Sequence, residues 1–139
     1  MSARPAPSSP LVPVSWGELL DKITILEIKA ARIPAAAARA NVGRELEALM
    51  EVARPVLPTE GLAPLVDGLR QVNAALWQIE DDIRLKEAEA SFGAEFIALA
   101  RSVYLRNDER AALKRRINAL LRSDLVEEKH HAGAARQDV

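Results

Sequence analysis

The residues best suited to chemistry fall in two stretches. One holds Trp77, Glu80, Asp81 and Arg84, the other Arg101, Tyr104, Asn107, Asp108 and Arg110. Guanidinium groups bind anions as forks, and carboxylates serve as general acids or bases. Tryptophan and tyrosine add an apolar body with one polar tip. Gathered in one place, these side chains would form a polar pocket for an anionic or sugar-like ligand. They would equally form a salt-bridge and hydrogen-bond network that fixes two helices in register. Acid–base alternation on a helix is usually a solvated face, which favours the second reading.

Other signals are weaker. Arg110, Lys114, Arg115, Arg116 and Arg122 could touch phosphates, but the chain carries a net charge of −1 and has no overall basic surplus. Nucleic acid is therefore not an expected partner. His130 and His131 follow Glu127 and Glu128, yet adjacent histidines in a polar tail cannot both face one helical site. No metal site is expected. Glu18 and Asp21 have the E-x-x-D spacing of some helical magnesium pyrophosphohydrolases, but the second helix supplies no E-x-x-E. There is no H-E-x-x-H, no glycine-rich phosphate loop and no Ser/His/Asp arrangement, and no cofactor is implied. The absence of cysteine removes disulfides, thiolate catalysis and thiolate metal ligation.

Four helical segments must position the candidate residues. Ser15 and Glu18 have capping-box spacing, and Leu19, Ile23, Leu26, Ala30 and Ile33 form one helical face before Pro34. A second helix, Ala35 to Ala53, carries the stripe Val42, Leu46, Leu49 and Ala53, and Pro55 and Pro58 then force a connector. A third runs from about Thr59 or Glu60 to Ala90, with Leu69, Val72, Leu76, Ile79 and Ile83 as its seam. After a break at Ser91, Phe92 and Gly93, a fourth reaches Arg122. Its stripe is Ile97, Ala100 and Val103 early, and Leu113, Ile117 and Leu120 late.

The expected fold is all-α: an antiparallel long-helix hairpin with two shorter helices packed on it, resembling a four-helix bundle. Residues 1–14 are expected to form a flexible N-terminal arm, 15–123 the helical domain and 124–139 a polar C-terminal tail. A turn centred on Phe92 puts Glu80 opposite Tyr104, Trp77 opposite Asn107 and Arg84 near Arg101. Segment 60–90 nets −4 and segment 94–122 nets +4, so opposite fields are expected to favour their pairing. Helices of about 30 residues are roughly 45 Å long, whereas a compact domain of this size is about 37 Å across. A second copy covering the projecting part, hence a homodimer, is the expectation.

Hydrophobic residues make up 49% of the chain, enough for a real core, and aromatics only 4%, which suits helices. No apolar run approaches the ~20 residues of a membrane span. The first residues lack a signal peptide's apolar stretch. A cytoplasmic protein is expected.

The segments VSWGELLDKITILEIKAARI, LWQIEDDIRLKEAEASFGAEFIALARSVYLRNDERAALKRRINALL and SDLVEEK resemble a family of small bacterial proteins known only as a domain of unknown function. The resemblance spans most of residues 14–129. It implies a link to cell-surface polysaccharide synthesis, because relatives occur beside or fused to such proteins. It implies no activity and carries over no site residue. GELLDKITILEIKAARI more loosely resembles the first helix of the helical chorismate mutases, which hold a dicarboxylate between cations. Lys22, Lys29 and Arg32 are the cations available here, and the early arginine of that pattern is missing. The expectation is a non-enzymatic interaction or accessory protein with an unidentified protein partner. The alternative is a small helical enzyme acting on an anionic metabolite.

Overall fold

Ser15 starts the first helix. Its Oγ accepts the Glu18 amide at 3.1 Å, half of the expected capping box. The Glu18 carboxylate does not close the box. It meets the Lys114 ammonium at 2.8 Å, a charge-assisted contact that outcompetes a neutral amide. In the computed structural model, which describes residues 8–123 together with 128, 130 and 131, α1 spans Trp16–Arg32. It stops at Ile33, which Pro34 holds extended. The expected tail, 124–139, falls almost wholly outside the described residues, as does the start of the expected arm.

Helix α2 covers Ala36–Ala53 and α3 covers Leu62–Ala88. Gly61 precedes α3 with φ +86°, a conformation that side chains disfavour. Helix α4 covers Ala94–Leu121. Between α3 and α4 the Ser91 amide bonds back to the Lys86 carbonyl and the Ala90 amide to that of Glu87. This pattern requires a left-handed residue, which is Ala90 at φ +53°.

The architecture is all-α, as the four proline- and glycine-bounded stripes predict. Helices α3 and α4 form an antiparallel hairpin, α1 packs against both, and α2 packs against α1. Lys86 pairs with Glu95, and Arg110 reaches Asn73, so the hairpin register lies within a helical turn of the expected one. The core gathers Leu19, Leu20, Ile23, Ala53, Leu62, Leu65, Val66, Leu69 and Ile117. It occupies one end of the hairpin. The last buried residue of α3 is Asn73, and the first of α4 is Lys114.

Two expectations need correcting. The early α4 stripe is not core: Ile97 and Ala100 are exposed and Val103 is half-buried, because α1 and α2 do not cover that end. The opposite charges of the long helices also do not face each other. The acids of α3 cluster at 80–89 and the bases of α4 at 110–122. Antiparallel packing therefore puts them at opposite ends of the hairpin. The Lys86–Glu95 pair, at 2.5 Å, even has the cation on α3 and the anion on α4.

Candidate functional site

A polar seam runs along α1 where it meets α3 and α4. Gly17, Asp21 and Thr24 step by four and three along α1, and Arg110, Lys114 and Asn118 step by four along α4. Both sets therefore lie on single helical faces. A Cβ on Gly17 would stand 2.6 Å from the Lys114 carbonyl oxygen, so the two backbones nearly touch. At this crossing the Gly17 amide donates to Asn118 Oδ1 at 2.7 Å, and the Trp16 amide donates to Ser123 Oγ at 2.8 Å. One turn further, Asn73 of α3 donates through Nδ2 to Asp21 Oδ1 and to Thr24 Oγ1, both at 2.9 Å. Thr24 Oγ1 in turn donates to the Asp21 carbonyl.

Asp21 is only 4% exposed. Burial pushes its carboxyl above the usual carboxylate value, against the lowering pull of the Asn73 hydrogen bond, Arg110 and Lys114. The Arg110 guanidinium lies 4.0 Å from Asp21 through Nε and donates to Asn73 Oδ1 through Nη1 at 3.4 Å. Its Nη2 has no partner among the described residues.

Asn73 and Arg110 carry the seam into a cleft of about 470 Å³ between α1, α3 and α4. Ile25, Ile28, Leu76 and Trp77 supply its apolar walls, and Glu80, Asp81 and Arg84 the remaining charge. Its size falls within the ~300–1,000 Å³ of small-molecule sites. Of the nine residues singled out in the sequence, Trp77, Glu80, Asp81, Arg84 and Arg110 line this cleft. Arg101, Tyr104, Asn107 and Asp108 do not. Arg101 and Tyr104 are exposed, and Asn107 and Asp108 half-buried. Glu80 pairs within its own helix, with Arg84 at 3.6 Å, and both side chains are largely in solvent. It makes no hydrogen bond or ion pair across the hairpin among the described residues, where the network reading placed it opposite Tyr104.

The buried network sits instead on Asp21, Thr24, Asn73, Lys114 and Asn118. Asn73 follows the core residue Leu69 by four and precedes Leu76 by three, so its position marks it as inward-facing. The partners that make such a position polar rather than apolar come from α1, and their placement requires the tertiary fold.

Among the described residues no group of three or more histidine, aspartate or glutamate side chains could hold a metal ion. None of the helices is long and apolar enough to cross a membrane, among the described residues. The cleft offers Glu80 and Asp81 as accessible carboxylates, Arg84 and Arg110 as guanidinium donors and Trp77 as a flat wall. Asp21 lies behind Asn73 and Arg110 rather than at the cleft surface, so its role is to hold them.

No curated protein and no solved structure matches the sequence. Residues 11–136 match a family described as a family of unknown function, DUF6165. With nearly its whole length matched, the chain belongs to DUF6165.

Proposed function

We propose that this protein is a non-enzymatic helical interaction module that pairs with a second copy of itself through the far end of the α3–α4 hairpin. One observation carries the reading: Leu85, Phe92, Ile97, Tyr104 and Leu105 are all more than half exposed around the end of the hairpin that α1 and α2 leave uncovered. Single exposed apolar side chains are ordinary, but several on one unpartnered helix pair mark an interaction surface. Helices of 27 and 28 residues, about 40 Å long, carry that surface beyond the core. The same mismatch of helix length and domain size supports a second copy as occupant, because its equivalent apolar end can cover this one in a two-fold pairing. The family resemblance supports a cytoplasmic accessory role in surface-polysaccharide assembly. The test is the mass of the full chain in solution, with and without a charge placed on the exposed surface.

A second reading, a small helical enzyme acting on an anionic metabolite, is favoured by the cleft that holds Arg84 and Arg110. Comparing turnover or binding of dicarboxylates in the native protein and an Arg110→Gln variant tests it.

A further inference from the structure

The charges lining the cleft balance: Arg84 and Arg110 against Glu80 and Asp81. They are not distributed alike. Arg84 and Glu80 neutralise each other within one helical turn, at 3.6 Å, and neither is held by a second partner among the described residues. Arg110 is anchored on its inner side by Asp21 and Asn73, is 30% exposed in its side chain, and keeps Nη2 free of partners among the described residues. Asp81 is exposed and makes no hydrogen bond or ion pair among the described residues. One fixed cation and one open carboxylate thus remain, with Ile25, Ile28, Leu76 and Trp77 as apolar walls.

A dianion suits this arrangement poorly, because its second negative charge would approach Asp81 and Glu80. A neutral apolar molecule would cover the Arg110 Nη2 and the Asp81 carboxylate without pairing either. A molecule carrying one carboxylate, one ammonium and a bulky apolar body satisfies all three features.

We propose that the cleft binds a free amino acid with a large apolar side chain, its carboxylate on Arg110, its ammonium on Asp81 and its side chain against Leu76 and Trp77. This site is separate from the self-association surface, and either can fail without the other.

The chain has two tryptophans, Trp16 and Trp77, so nuclear magnetic resonance of the full-length protein reads the cleft through one of two indole N–H signals. A Trp16→Phe variant assigns them. The probes are L-phenylalanine and L-leucine, with 3-phenylpropionate, lacking the ammonium, and phenethylamine, lacking the carboxylate, as controls. The expected result is a saturable shift of the Trp77 signal with both amino acids, and at least tenfold weaker binding of both controls. Asp81→Asn, a surface change that leaves the fold intact, should weaken L-phenylalanine at least tenfold and leave 3-phenylpropionate unchanged. No Trp77 shift with either amino acid at millimolar concentration overturns the proposal. So does a control that binds as tightly as L-phenylalanine, which returns the cleft to a simple ion site, or an Asp81→Asn variant that binds L-phenylalanine normally.

Discussion

Asn118, near the end of α4, accepts the backbone N–H of Gly17 at the start of α1, at 2.7 Å. The first amides of a helix have no partners within it. Here Ser15 takes that of Glu18, Asn118 that of Gly17 and Ser123 that of Trp16, and Ser123 also donates to Asn118 Oδ1. The opening turn of α1 is therefore completed by residues about a hundred positions later in the chain. The same contact locks α1 onto the hairpin and so positions the seam and the cleft.

Asn118→Ala should destabilise the fold by about 1–3 kcal/mol, because it leaves the buried Gly17 amide unpaired. Gly17→Ala should also destabilise it. Alanine is favoured over glycine in a helix by up to ~1 kcal/mol, but its Cβ would meet the Lys114 carbonyl at 2.6 Å, and backbone cannot move aside as a side chain can. Urea denaturation measures both. A Gly17→Ala variant more stable than the native protein would contradict the close crossing.

The Asp21 carboxyl is raised above 3.8, chiefly by burial. The folded state thus holds this proton more tightly than the unfolded chain does. The stability tied to Asp21 is fullest below the unfolded value, falls as pH rises, and levels off above the folded value. Asp21→Asn keeps an oxygen for Asn73 and lacks this titration. Its stability relative to the native protein should rise from acid to neutral pH. A relative fall in denaturation midpoints would show that Arg110 and Lys114 outweigh burial.

Glu80→Ala should cost no more than about 0.5 kcal/mol, the scale of an exposed i,i+4 pair. Arg101→Ala should be similarly mild, and the double variant additive within about 0.5 kcal/mol. A non-additive loss in chemical denaturation would restore the cross-hairpin network that the sequence first suggested.

Ala90→Gly should stabilise the protein by up to about 1 kcal/mol, since alanine at φ +53° bears a left-handed strain that glycine escapes. Thermal unfolding would show a raised midpoint. An unchanged or lowered midpoint would mean that the extra freedom of glycine in the unfolded chain cancels the relief.

The four helices were legible because their boundaries are chemical: Ser15 caps, Pro34 stops α1, and Pro55 and Pro58 separate α2 from α3. The hairpin register was legible to within a turn for the same reason, since a short link leaves few options. What could not be read was where α1 lies. Arg110 belongs with Asp21 and Asn73, not with Tyr104, because a third helix sits on that face of the hairpin. Two-helix geometry therefore assembled five of the nine cleft residues, Trp77, Glu80, Asp81, Arg84 and Arg110, and missed Ile25, Ile28 and Asn73. Lys114 looked like part of a solvated basic run, yet it is 5% exposed and paired with Glu18. Net charge per helix misled in another way, because it hides where along the helix the charges stand.

Light scattering of the full chain at micromolar concentration reads self-association through the uncovered hairpin end as a mass. The expected mass is twice the 15.2 kDa of one chain. Ile97→Glu combined with Leu105→Glu, at two exposed positions, should give a folded monomer with an unchanged helical signal. A native protein that runs as a monomer across that range, or a doubly substituted variant that remains a dimer, would contradict it.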